Sequence, residues 1–493
     1  MYYLGIDLGS SSVKIALVEK TTGASIAIVQ EPENEMSIYA EKKGWAEQSP
    51  IDWWKHVCKG IRKIKNGFSV SENDIVGIGI AYQMHGLVIV DKKGKPLRPS
   101  IIWCDSRAVK IGERAYQAIG ERLCDSRLLN SPGNFTASKL AWVQQNEPDV
   151  YKRIHKFMLP GDYIAYRLSN TINTTISGLS EGVFWDFETE GISNSVLSHL
   201  KIDASLIPDI AETFGEQVFV SAEGAKGTGL KIGTPIMYRA GDQPNNALSL
   251  NVFEPGEIAA TGGTSGVVYA IGDKQSIRET SRVNNFAHVN YGKEGRKYIG
   301  KLLCINGAGI LYKWLKINFG IASYGEMNDL ASTVPIGSDG IIIIPFGNGS
   351  ERMLENKKTG ARLLNLDFNR HTRAHIFRAA LEGIAFSYVY GMELLKNDGI
   401  IANAIRVGND NLFRSGIFSD IIATLSGLKI EMYNTTGAIG AARACAIFEH
   451  GNKMFSSYIQ NDYVKTFEPS RTRTAYETAY KNWKTELGII LNQ

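Results

Sequence analysis

Several common nucleotide-binding signatures are missing from this 493-residue chain. There is no G-x-x-x-x-G-K-S/T loop, no dinucleotide-type G-x-G-x-x-G and no His-Arg-Asp catalytic loop, which removes P-loop enzymes, Rossmann dehydrogenases and protein kinases as first choices. Cysteine is scarce: Cys58, Cys104, Cys124, Cys304 and Cys445 are odd in number, scattered and without C-x-x-C spacing. That argues against a disulfide framework and a zinc site, and makes a reducing cytoplasm the expected compartment. Neither charge sign dominates, with 54 basic and 50 acidic residues, a net +4 and no long basic run. Nucleic acid and anionic membrane are therefore not expected as partners. Long apolar runs are absent too. The longest, near residues 341–346, is far too short to cross a bilayer, and Met1 to Leu4 lead into Gly5 without a basic n-region, so the chain reads as soluble and unexported.

What is present points to two lobes. A chain of this length with 44% hydrophobic residues exceeds one ordinary core, and a split into residues 1–250 and 251–493 is the natural reading. The organising stretch is 238–266. Residues 236–240 read as a strand stopping at Gly241, and Pro244 suits the first turn of a following helix. Asp242 should thus project from a strand's carboxyl end, where open α/β sheets keep their ligands. Residues 257–260 and 267–271 then read as a hairpin whose turn, Thr261, Gly262, Gly263, Thr264, Ser265 and Gly266, offers backbone N–H groups and hydroxyls to phosphate oxygens. Residues 2–7 and 13–19, joined by Leu8, Gly9, Ser10, Ser11 and Ser12, form a similar hairpin about 250 residues earlier, which suggests two like lobes gripping one polyphosphate.

Between the hairpins, Ser49 and Pro50 mark a helix start after Trp45, Glu47 and Gln48. Residues 75–81 read as a buried strand delivering Gln83, Met84 and His85 at its carboxyl end. Trp103, Asp105 and Arg107 alternate, so in extended chain they would face one side and suit a polyhydroxylated ligand; a surface Asp105–Arg107 ion pair with a packed Trp is the competing reading. Residues 405–407 lead to Gly408 and Asn411, which tolerate positive φ and could let a flat ring lie against backbone. From about Gly451 onward a peripheral helical tail is expected.

These motifs in this order, namely Gly5-Ile-Asp-Leu-Gly-Ser-Ser, Gln83-Met-His-Gly, Trp103-x-Asp-x-Arg, Gly241-Asp-Gln and Gly262-Gly-Thr-Ser-Gly, resemble those of the FGGY carbohydrate kinases, and among them the xylulokinases. The likeness spans Tyr2 to about Phe448. It implies an α/β fold of two actin-like, ribonuclease H-like lobes, the first binding sugar and the second nucleotide, with MgATP as cosubstrate. It further implies Asp7 near magnesium; Ser10, Ser11, Ser12 and Lys14 at the first phosphate turn; Gly262, Gly263, Thr264 and Ser265 at the second; and Gly408 and Asn411 near adenine. Gln83, Met84, His85, Trp103, Asp105, Arg107, Asp242 and Gln243 would meet the sugar, with Asp242 as base. The implied activity is phosphorylation of a ketopentose, D-xylulose to D-xylulose 5-phosphate, with gluconate, ribulose or glycerol as other acceptors, an actin-like filament or chaperone ATPase as the reading from another class, and a homodimer compatible with either. Four positions depart from the family pattern. Gln243 stands for a common Asn, Gly161 for a frequent Lys, Ser350 begins an altered Gly-Glu-Arg segment, and Asp410-Asn411 replaces Gly-Gly. Either Asn411 takes the positive φ of the missing glycine or the nucleotide sits differently.

Overall fold

The computed structural model describes residues 1–273, 279–349 and 351–493, so the departure at Ser350 lies outside the described residues. Two compact units account for the chain. The first comprises Met1–Asn251, Asn285–Ile299 and Thr435–Asn461; the second comprises Val252–Asn284, Gly300–Asn434 and Asp462–Gln493. The expected cut after residue 250 falls beside the Asn251 break, but two later segments return to the first unit, so its continuous 1–250 description is corrected.

The first unit is built on a sheet ordered Phe214–Phe219, Pro235–Gly241, Ile75–Tyr82, Tyr2–Leu8, Val13–Glu19, Ser25–Glu31. The three central strands are parallel, and Asp7 and Ala240 both pair with Ala81. Their carboxyl ends therefore lie level at one edge. The near-continuous apolar runs of these strands reflect burial on both faces. One face is covered by the helix Pro50–Gly67, started by Ser49, whose side chain accepts from Asp52 N, and by Pro50 at its first position. The other carries the helix Gly437–His450, rich in Ala and Gly. Gly5 and Gly79 lie so close to its backbone that a Cβ on either would fall well inside van der Waals contact with the carbonyls of Ala438 and Ala441. This close approach explains why Thr435–Asn461 belongs to the first unit, which hydrophobic periodicity within a single helix does not reveal.

The second unit repeats the plan. Its sheet places Tyr298–Ile305, Gly266–Asp273, Glu257–Gly262, Ala404–Gly408, Ile430–Tyr433 and Tyr463–Phe467 side by side. As in the first unit, an antiparallel hairpin is followed by two parallel strands and an antiparallel edge. The 25-residue helix Arg373–Asn397 is buried along most of its length. The chain after Gly451 is not the expected peripheral tail. Tyr463–Phe467 extends this sheet, and Trp483, on the helix Arg473–Leu491, is 1% exposed with its indole N–H donating to Ile343 O at 2.9 Å. Lone aromatics among polar residues hide this burial, because only one stripe of that helix faces the core. Among the described residues no helix is long and apolar enough to cross a membrane.

The tight seam yields a stability prediction. Gly79→Ala should lower the unfolding free energy by about 1–3 kcal/mol through overpacking, measured by denaturant titration; an unchanged midpoint would mean that the helix can back away without cost.

Candidate functional site

Asp242 opens the helix Asp242–Ser249 directly after the strand Pro235–Gly241. Burial, and then the nearby Asp7 carboxylate, pushes its pKa up to about 7, the range in which a carboxylate is an effective base near neutrality. Burial also raises Asp7, against the pull of Lys14, its cross-strand partner. Asp7 and Asn245 converge where a side chain on Gly437 would otherwise sit: a Cβ there would lie 2.5 Å from Asp7 Oδ2 and 3.4 Å from Asn245 Nδ2. Asn245 Nδ2 donates to Gly437 O at 2.9 Å, and its buried Oδ1 has no partner among the described residues. Glycine at 437 thus lets the Asp7 carboxylate and the Asn245 amide pack against the helix start, where a side chain would collide with them.

Gln83 follows the central strand and is buried. Its backbone N–H donates to Leu8 O at 2.7 Å, and its Nε2 donates to Gln48 Oε1 at 3.0 Å. Gln48 in turn donates to Ser10 O at 2.7 Å and accepts from the Trp53 indole. A chain of amides therefore joins Gln83 to the turn of the first hairpin, where Gly9 N–H closes onto Ser12 O at 3.0 Å. Ser11 and Lys14 are exposed beside that turn.

His85 has φ of 62°, a left-handed backbone that costs a non-glycine residue about 1–2 kcal/mol. Its ring lies between Phe135 and Phe286, with centroids 4.8 and 5.2 Å away. Nδ1 is 3.0 Å from Glu181 O, and since a carbonyl only accepts, the hydrogen-bond network assigns the proton to Nδ1 and makes Nε2 an acceptor in the neutral ring. The buried Lys139 ammonium donates to His85 O at 2.8 Å and to Ile102 O at 3.0 Å. Burial lowers its pKa to about 7, against the opposing charge of Asp105. Met84 packs next to Gly241.

The expected alignment of Trp103, Asp105 and Arg107 is not found, because the chain turns after the two-residue strand Ser100–Ile101 and is not extended. Trp103 is 51% exposed, while Asp105 and Arg107 are buried and spend their hydrogen bonds on one another and on neighbours. Asp105 accepts from Ala46 N at 2.6 Å and from Arg107 N at 2.8 Å. Arg107 pairs with Asp105 and Glu47 at 2.7 and 2.6 Å and lies 3.7 Å from the Trp45 ring centroid. The pair is an internal brace, neither a row of ligand contacts nor a surface pair. Gln243 follows Asp242 at intermediate exposure. Gly161 leaves no room for a longer side chain, since the Tyr82 ring occupies the space.

In the second unit, the turn Gly263, Thr264, Ser265 is held by the start of the helix Gly309–Asn318, whose Gly309 and Ile310 N–H groups donate to Gly263 O and Thr264 O at 3.1 and 3.0 Å. Beside it opens a 710 Å³ cavity, lined among others by Gly262, Gly263, Thr264, Tyr312, Asn411 and Arg414. Tyr312 stacks on Tyr324 at 5.8 Å with planes 15° apart, giving the wall a flat apolar face. Asn411 has φ of 48°, the first of the two outcomes left open by the loss of glycine there. Ser265 and Gly408 do not line this cavity. Sequence reasoning missed Tyr312, Tyr324, Arg414, Lys139 and Glu181, because stacked or clamping residues on separate helices share no spacing; only Arg414, one turn after Asn411, had a local cue.

One unit thus holds Asp242, with its raised pKa, at the sheet edge shared with Gln83 and His85, and the other a glycine-rich turn beside an aromatic-walled cavity. Family models for the N-terminal and C-terminal domains of the FGGY family of carbohydrate kinases match residues 2–249 and 258–448. The chain is 29% identical to a xylulose kinase of Staphylococcus epidermidis over 98% of this chain and 97% of the relative. The fold is similar to that of a xylulose kinase from Rhodospirillum rubrum, with TM-score 0.87, 22% identity and all of both chains covered. It is equally similar to that of a gluconate kinase from Lactobacillus acidophilus, with TM-score 0.88, 20% identity and 99% and 98% of the two chains covered.

The electrostatic coupling can be checked without substrate. In Asp7→Asn the Asp242 pKa should fall from about 7 as the neighbouring charge is removed, while staying above the ordinary carboxylate range because burial is the larger cause. Carboxyl-carbon NMR titration measures it, and an unchanged value would mean that the two acids are not coupled.

Proposed function

Because the chain belongs to the FGGY family of carbohydrate kinases, we propose that it transfers the γ-phosphoryl group of ATP to D-xylulose, giving D-xylulose 5-phosphate. The observation that carries the reading is Asp242, with its pKa raised to about 7, at the same strand edge as Gln83 and His85. Asp242 accepts the proton of the attacking sugar hydroxyl as its oxygen forms the new bond to phosphorus and ADP departs. His85 Nε2 accepts from a second hydroxyl, and the Phe135 and Phe286 rings keep water from that side. The second unit's turn holds donor phosphates through its N–H groups and Thr264, and the Tyr312–Tyr324 face suits a purine.

Magnesium fits the first unit's residues, since it binds through one or two carboxylates plus the nucleotide's phosphates and needs no protein cage. Among the described residues no cluster of three or more His, Cys, Asp or Glu forms such a cage. Asp7 would hold the ion, which when bound would offset charge on the transferred phosphoryl.

The choice of D-xylulose over gluconate, ribulose or glycerol rests on the curated relative, because the fold is shared with the gluconate kinase. Family membership leaves the filament and chaperone reading without support. The five cysteines, all free thiols, favour the cytoplasm as the site of action. Purified protein given MgATP and a panel of ketoses, aldoses, polyols and gluconate, with ADP release as the readout, should show its highest kcat/KM with D-xylulose. Release no faster than the sugar-free rate with every acceptor would refute a sugar kinase, and a gluconate optimum would refute the assigned acceptor.

A further inference from the structure

Glu181 is buried and has no place in the chemistry above, yet it touches both halves of the acceptor site. It ends the helix Ile176–Glu181, which Thr175 caps by accepting from Gly178 N. The helix is anchored to the segment carrying Phe286: Ser177 Oγ donates to Ala287 O at 3.2 Å, and Ala287 N donates to Ser180 Oγ at 2.9 Å. From that fixed base, Glu181 O accepts from His85 Nδ1 at 3.0 Å and Glu181 Oε1 accepts from His85 N at 3.4 Å. Its second carboxyl oxygen reaches the adjacent strand, where a Cβ on Gly241 would lie 2.6 Å from Oε2. Gly241 is the residue immediately before Asp242. One side chain thus spans the gap between the histidine turn and the base. Lys139 grips His85 from its carbonyl side, so the left-handed residue is held at N, O and Nδ1 together.

We propose that Glu181 is a positioning residue which sets His85 and Asp242 in register for the acceptor hydroxyls, and that it acts through its reach between the two strands. It is too buried to meet the sugar itself. A residue in a sparsely populated backbone region persists only where its surroundings over-determine it, and here the surroundings are Glu181 and Lys139. With the Nδ1 proton pinned by the Glu181 carbonyl, Nε2 is presented to a hydroxyl donor in one tautomer and one orientation. This role rests on the sugar kinase reading for its kinetic consequence, although the clamp itself does not.

Two variants separate reach from the carboxyl group. Glu181→Gln keeps the length and exchanges the carboxyl for an amide that can still accept, whereas Glu181→Asp keeps the carboxyl and is one methylene too short for both contacts. The sugar KM should rise by about tenfold in Glu181→Asp and by far less in Glu181→Gln, with the KM for ATP and the thermal midpoint nearly constant in both. The reverse ranking, or equal sugar KM in all three proteins, would overturn the role. Backbone 15N labelling gives a readout that needs no substrate: the His85 amide, which donates to Glu181 Oε1, should keep its signal position in wild type and Glu181→Gln and shift in Glu181→Asp, while the ring keeps its Nδ1–H on the main-chain carbonyl in all three. An unmoved His85 amide signal in Glu181→Asp would overturn the clamp. If wild type phosphorylated none of the sugars, the kinase reading would fail while the His85 amide signal still decided the clamp. Should Glu181→Asp not fold, a Glu181→Gln sugar KM raised by about tenfold would refute action through reach.

Discussion

Three parallel strands that end level with one another are the constraint on which the first unit depends. Asp7, Gln83 and Asp242 lie at or just beyond the ends of strands 2–8, 75–82 and 235–241, separated by 76 and 159 residues of sequence, and only the shared register of those strands brings them to one edge. Side chains on rigid strand ends are placed more accurately than side chains on loops. The register is in turn locked by the helix Gly437–His450, which approaches so closely that Gly5 and Gly79 admit no side chain. The last residue of that logic is Gly437, whose missing side chain leaves room for Asp7 and Asn245 to pack against the start of that helix.

The same placement sets the electrostatics. Bringing acids to one sheet edge and burying them raises Asp7, Glu181 and Asp242, each chiefly through desolvation and, for the latter two, next through a neighbouring carboxylate. Buried acids without paired cations are costly, so their gathering at a single edge reads as a functional investment. The contrast is Asp105, fully buried where Asp7 and Asp242 are partly exposed, and bonded to Arg107, so that it braces the chain. Exposure and hydrogen-bond partners together set Asp105 apart from Asp242.

Much of this arrangement is legible in the order of the amino acids. The two hairpins, the Asp242 strand end and the position of Gln83, Met84 and His85 follow from apolar runs broken by Gly, Ser and Thr, which are local signals. The sequence misleads where the deciding contact is not local. Trp103, Asp105 and Arg107 alternate as a strand would, but a turn after Ile101 defeats the period of two. The last forty residues look polar, yet a stripe containing Tyr476, Tyr480 and Trp483 is buried. Glu181 and Lys139 carry no motif, because their importance lies in what they hold. Asn411 poses a question about φ from sequence alone, and 48° answers it.

The central claim is that Asp242 is a proton acceptor, as distinct from a magnesium ligand or a structural acid. The direct measurement compares Asp242→Asn with wild type in kcat, magnesium dependence and thermal midpoint on one preparation. The amide keeps the shape and can still hydrogen-bond a hydroxyl, so sugar and MgATP should bind within a few-fold while kcat falls by about 10²–10⁴. A variant retaining more than about a tenth of wild-type kcat, or one whose activity excess magnesium restores, would contradict Asp242 as the base.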